Sequence, residues 1–225
     1  MPDFGVAYAG ARERISELVS AATEEELGRI VPGCPEWSVK DLLAHVVGIA
    51  RDFESGNLGD AGQPGWTAGH VEAGKERSVA ELIAEWKEAS VQLEASFEHI
   101  PKAMSGMTLA DLVTHEHDLR GALGKHGARD TDGVTFSLES YVRYFGHRLK
   151  KAGLPPLTVT SGGKGWNLGE GAATTSVAGE PFELFRCLAG RRTTEEIRAL
   201  EWTGDKEIFV PHLSNYGAPE PSLGE

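Results

Sequence analysis

Up to Ala152 the apolar residues of this chain recur at helical spacing, and beyond Gly153-Leu-Pro-Pro156 they do not. That switch limits the fold more than any other feature, because a 3.6-residue period and short glycine-bounded strands bury their apolar faces in different ways. Before the switch, Ile15, Leu18, Val19 and Ala22 form a stripe that predicts a helix over residues 7–29, with a break near Ala22. Ser38, with Asp41 three residues on, has the form of a capping box and starts a second helix running to about residue 53. Val79, Leu82, Ile83, Trp86, Leu93 and Phe97 predict a third over residues 78–100, ended by Pro101. Thr108 is read as the cap of a fourth, which stops at Gly124. Leu138, Tyr141, Val142, Phe145 and Leu149 mark a fifth over residues 137–152. Residues 54–75, rich in glycine and polar side chains, read as a long loop; Val31-Pro-Gly-Cys-Pro35 reads as a rigid turn.

After the switch come three strand-like pieces, residues 157–160, 165–168 and 174–177, separated by glycines. Two helical segments follow at residues 181–189 and 194–202, then a turn at Gly204-Asp205 and a last strand at residues 208–210. The expected organisation is an antiparallel four-helix bundle over residues 1–152, followed by a small α+β domain over residues 153–225.

Composition narrows the partners. A formal charge of −12 over 225 residues argues against nucleic acid and anionic membrane. No apolar run approaches the ~20 residues that would span a bilayer. The start, Met1-Pro-Asp-Phe-Gly5, lacks the features of a secretory signal, so a cytoplasmic protein is expected. The two cysteines, Cys34 and Cys187, make neither a disulfide framework nor a zinc ribbon. Cys34 is read as a small residue in a proline-bounded turn, and Cys187 as core.

Chemistry concentrates on two helices. Asp111 and His115 are four residues apart, one above the other on a single helical face. With His45 from another helix they make three ligands for a divalent metal, a number that leaves coordination positions open as catalytic sites do. The same spacing joins Asp41 to His45, and each aspartate also follows a capping Ser or Thr by three residues, so the aspartates have a structural alternative as helix caps. Asp118 lies on the face of His115 and could accept from its far ring nitrogen, fixing the tautomer. Glu116 and His117 point about 100° and 200° away and are not expected as ligands.

The stretch Val31-Pro-Gly-Cys-Pro-Glu-Trp-Ser-Val-Lys-Asp-Leu-Leu-Ala-His45, followed by Leu112-Val-Thr-His115-Glu-His-Asp118-Leu-Arg-Gly-Ala-Leu-Gly124, resembles the mycothiol-dependent maleylpyruvate isomerase family, within the wider DinB-like metal-binding four-helix bundles. Residues 177–191 and Gly204-Asp205 resemble that family's small C-terminal domain. The resemblance implies an actinobacterial host and a divalent metal on His45, Asp111 and His115: zinc first, with nickel or iron as alternatives. The family's acidic ligand is often glutamate, one methylene longer than Asp111. The resemblance also implies mycothiol as a low-molecular-weight thiol cosubstrate, and isomerisation or S-transfer on a small electrophilic carbonyl or dicarboxylate compound.

A substrate carboxylate calls for a basic group, and Arg120, Arg191 and Arg192 are the candidates. Trp66 and His70, in the loop, are placed either at the site entrance or on a surface tip. A metal-dependent hydrolase and a non-catalytic metal or small-molecule binding protein are the competing readings, and pairing of two bundles into a homodimer is compatible with the sequence.

Overall fold

Each long helix of the N-terminal half begins where a side chain can satisfy its first free amides. In the computed structural model, which describes residues 3–224, Ser38 and Asp41 form the expected capping box at the start of α3 (Val39–Ser55). Ser78 and Glu81 do the same for α5 (Val79–Ser96). Asp3 caps α1 (Phe4–Ser20), and the break read near Ala22 is present, because Thr23 starts a separate turn, α2 (Glu24–Leu27), with its own capping box.

The Pro32-Gly33 turn joins two strands, β1 (Ile30–Val31) and β2 (Cys34–Ser38), paired antiparallel. The first 152 residues are therefore not all helical. Residues 54–75 are not all loop either: α4 (Pro64–Gly74) starts on a proline at its first turn, a position that loses no hydrogen bond. The fourth predicted helix begins seven residues early, its cap position being Pro101 and not Thr108. α6 (Lys102–Leu123) starts behind Pro101, and Thr108 donates no cap. Its end at Gly124, in the left-handed conformation, is where the sequence puts it.

The chain divides into two compact units, residues 1–127 and 128–224. In the first, α3 packs on α5 and α4, α1 packs on α6 and α5, and α6 also meets α3. The core draws Tyr8, Ile15 and Val19 from α1, Leu42 and Leu43 from α3, Leu82, Trp86 and Leu93 from α5, and Leu109 and Val113 from α6. Each such side chain taken from water contributes about 1.5–3 kcal/mol before entropy is counted. The Trp86 indole donates to Tyr8 Oη at 3.2 Å, so its one polar atom is satisfied inside.

The break between units falls at Gly127, ahead of the expected one at Ala152. α7 (Asp132–Lys151, capped by Thr131) packs its apolar face on α8 (Pro181–Leu188), with Tyr141 stacked on Phe185. Periodicity identifies a helix's buried face and leaves its partner open, and here the partner lies 30 or more residues downstream.

The second unit holds a four-stranded sheet in the order β4-β3-β5-β6. β3 (Leu157–Ser161) and β4 (Lys164–Leu168) form a hairpin through Gly162 and Gly163, both at positive φ as a two-residue turn of this hand requires. β5 (Thr175–Ala178) runs parallel to β3, and β6 (Glu201–Thr203) antiparallel to β5. The three strands predicted after the switch stand. The helix predicted over residues 194–202 stops at Arg198 in α9 (Thr194–Arg198) and gives way to β6, while residues 208–210 are not a strand, a 3₁₀ turn occupying Lys206–Ile208. Among the described residues no helix is long and apolar enough to cross a membrane.

Candidate metal centre

α6 is an unusual core helix, because its buried face carries Thr114, His115, Glu116, His117 and Asp118 beside its leucines. Buried polar groups persist only when paired, and each neighbouring element supplies a partner. Glu116 is fully buried and takes both Nε (2.8 Å) and Nη2 (2.7 Å) of Arg14 from α1. It also accepts from Arg120 at 3.0 and 3.1 Å. Glu116 holds the Arg14 guanidinium above the usual arginine value. This triad turns Glu116 and Arg120 away from ligand duty and pins α6 against α1.

His45, Asp111 and His115 come together. One donor atom from each lies within 4.8 Å of the others, and Asp111 Oδ1 is 3.6 Å from His115 Nε2. Two ligands each about 2.1 Å from a tetrahedral zinc would stand about 3.4 Å apart, so the observed separation fits a shared ion with little adjustment. The His45 and His115 rings meet edge to face at 5.3 Å. Both histidines are buried and Asp111 is half-exposed, leaving one side of the cluster open. Because α6 starts at Lys102, Asp111 sits in mid-helix and has no amides to cap. Asp41, by contrast, is engaged at the start of α3, accepting from the Ser38 amide at 2.9 Å.

Asp118 Oδ2 is 3.1 Å from His115 Nδ1, the arrangement its spacing suggested. A carboxylate accepts, so Nδ1 carries a hydrogen, and Nε2 is the nitrogen that faces Asp111. Burial pulls the His115 pKa down, but Asp111, Asp118 and Cys34 together hold it well above the ordinary histidine value. His45 goes the other way, pushed down to about 3 mainly by burial.

Cys34 belongs to this neighbourhood, which sequence reasoning missed. Its Sγ lies 3.8 Å from Asp118 Oδ2, and Cys34, His115 and Asp118 form a second close group. The β1–β2 hairpin brings Cys34 over α6, a juxtaposition with no local signature. Cys187 is core as expected, its thiol pushed up to about 12 chiefly by burial.

Of the two placements left open for His70, the surface tip is excluded. His70 is buried on α4; its Nδ1 is 3.2 Å from His45 Nδ1, and its Nε2 is 3.0 Å from Asp52 Oδ2. Trp66 packs edge-on against it at 4.2 Å. The spacing of His45, Gly48 and Asp52 along one face of α3 is the signal that could have pointed to it.

Arg191 and Arg192 lie in the second unit. Arg192 is buried and held by Glu183 at 2.9 and 3.2 Å, while Arg191 donates to the Ala189 carbonyl at 3.0 Å. A cleft of about 450 Å³ in that unit, lined by Tyr144, His147, Arg148 and Lys151 among others, contains none of the predicted site residues.

Comparison with known proteins gives relatives by sequence and by fold. Two uncharacterized proteins of Mycobacterium tuberculosis, from strains CDC 1551 / Oshkosh and ATCC 25618 / H37Rv, are each 26% identical over 156 residues, covering 67% of this chain and 84% of theirs. The crystal structure of the mycothiol-dependent maleylpyruvate isomerase shares the fold with a TM-score of 0.58 at 15% identity, over 85% of this chain and 90% of that one. That of a histidine-to-alanine mutant gives 0.59 at 14%, over 84% and 90%. Residues 8–112, which include His45 and Asp111, match the family model of the mycothiol maleylpyruvate isomerase N-terminal domain. The match covers a little under half of the chain, and over that stretch the chain is similar to the mycothiol maleylpyruvate isomerase N-terminal domain.

Proposed function

We propose that α1, α3, α5 and α6 form a DinB-like bundle in which His45, Asp111 and His115 hold one divalent cation, zinc before nickel or iron, for a mycothiol-dependent isomerase or S-transferase. The substrate would be a small electrophilic carbonyl or dicarboxylate compound. The observation that carries this reading is the convergence of three donors from two helices, with Asp118 on the far nitrogen of one of them.

When bound, a divalent cation favours the thiolate of a thiol ligand, which otherwise titrates near ~8.5. The chain's own residues do the rest. His45 and His115 would hold the cation from a buried wall, His115 giving up its Nε2 proton on binding, and Asp111 would supply the one anionic ligand on the open side. Asp118 holds the His115 ring in the ligating tautomer. Arg120, Arg191 and Arg192 are the candidates for holding a substrate carboxylate.

The reading is tested by elemental analysis of the purified protein and of its His115→Ala and Asp111→Ala variants. Close to one metal per chain, lost in His115→Ala, is expected, followed by thiol-dependent turnover of an activated alkene such as maleylpyruvate. A wild-type protein that takes up neither zinc nor nickel overturns it.

A further inference from the structure

His45 has a second environment that the three-ligand site does not explain. Against it runs a buried chain of hydrogen-bonding groups. His45 Nδ1 meets His70 Nδ1 at 3.2 Å, and His70 Nε2 meets Asp52 Oδ2 at 3.0 Å. Their relative exposures are 3%, 3% and 4%, so water does not substitute for any of these partners. Asp52 is itself held, accepting from Asn57 Nδ2 at 3.2 Å with Arg51 Nε 3.8 Å from its other oxygen.

The backbone is arranged for this chain. His45 and Asp52 are seven residues apart on α3, two turns along one face, and Gly48 lies between them. A Cβ at Gly48 would stand 2.4 Å from His70 Cγ, so the imidazole rests directly on the α3 backbone where only glycine leaves room. α4 delivers that ring, and Trp66 packs against its edge.

Donor logic then sets the protons. The Asp52 carboxylate can only accept, so His70 Nε2 carries a hydrogen. Two facing Nδ1 atoms share one proton between them. Placing it on His70 would make that ring a cation at a site with 3% exposure; placing it on His45 leaves both rings neutral and both His70 nitrogens paired. His45 thus donates through Nδ1, and its Nε2 is the nitrogen left bare.

We infer that Asp52 and His70 are positioning residues that lock His45 in the Nδ1–H tautomer and aim its bare Nε2 at Asp111 and His115, as Asp118 does for His115. This inference rests on the metal reading for its purpose, though not for its geometry.

Two measurements test it separately. Long-range ¹⁵N–¹H correlation spectra of the chelator-treated wild-type protein report each ring's tautomer without any metal. The expected result is hydrogen on Nδ1 of His45 and on Nε2 of His70; hydrogen on Nε2 of His45 overturns the inference. Zinc affinity, by competition with a chromophoric chelator, should fall about 10–100-fold in His70→Leu. It should recover in His70→Asn, whose amide oxygen can accept where Nδ1 did, and fall again in Gly48→Ala, which displaces the ring. Unchanged zinc affinity in His70→Leu, with the protein folded by circular dichroism, overturns the inference. If the wild type binds no metal, the metal reading fails, and the tautomer spectra alone decide the hydrogen-bond chain.

Discussion

Asp118 Oδ2 lies 3.1 Å from His115 Nδ1, one helical turn along α6, so the same helix that offers the ligand also orients it. Asp118→Ala should therefore lower zinc affinity about 10–100-fold without unfolding the protein, and Asp118→Asn, which keeps an accepting oxygen, should lower it less. Chelator competition checks the order; equal affinities in all three proteins would show that Asp118 plays no part in orienting the ring.

The two ligand histidines predict a stability optimum in chelator-treated protein. His45 is held down at about 3 in the folded state, so the unfolded chain binds the extra proton between that value and about 6.5. Stability from His45 is thus complete above about 6.5 and is lost as pH falls toward 3. His115 is raised well above the ordinary value, so its contribution is complete below about 6.5 and is lost as pH rises through its folded pKa. Melting temperatures in EDTA should peak near about pH 6.5, and His115→Asn should remove the alkaline decline. A wild-type melting temperature that climbs steadily from pH 6 to 9 would contradict this.

Zinc should reverse the alkaline loss. Binding at His115 Nε2 displaces a proton, so affinity should rise with pH until His115 is fully deprotonated. At a free concentration 100-fold above Kd the ion adds about 2.7 kcal/mol of stability. Calorimetry in two buffers of different ionisation enthalpy would register the released proton.

Cys34 and Cys187 should react very differently with a thiol reagent such as an aromatic disulfide. Cys34 is half-buried beside Asp118, whereas Cys187 is 1% exposed with its thiol pushed up to about 12. One thiol per folded chain should titrate, and the second only in denaturant. Zinc should slow the first, because the metal would sit on the same histidine that Cys34 contacts. Two thiols reacting at equal rates in the folded protein would refute the assignment.

Glu116→Ala should be among the most damaging single changes. It leaves Arg14 and Arg120 facing an apolar core without their shared carboxylate, a loss of about 3–5 kcal/mol. Urea denaturation measures it directly.

The amino-acid sequence by itself determined the elements whose signals are local. Capping at Ser38 and Ser78, the glycine stop at Gly124, the Gly162-Gly163 hairpin and the apolar faces of α5 and α7 depend on residues within a turn or two of one another. The pairing of Asp111 with His115 and of His115 with Asp118 was legible for the same reason: helical spacing sets which side chains on one helix meet. Tertiary structure decided what lies between elements. Asp41 and Asp111 share a spacing, yet one caps a helix and the other faces a histidine, because Pro101 starts α6 long before Thr108. The approach of Cys34 to Asp118, the seating of His70 on Gly48 and the packing of α7 on α8 join segments 22 to 84 residues apart. Such contacts are selected by which apolar faces bury together, and no local pattern encodes that choice.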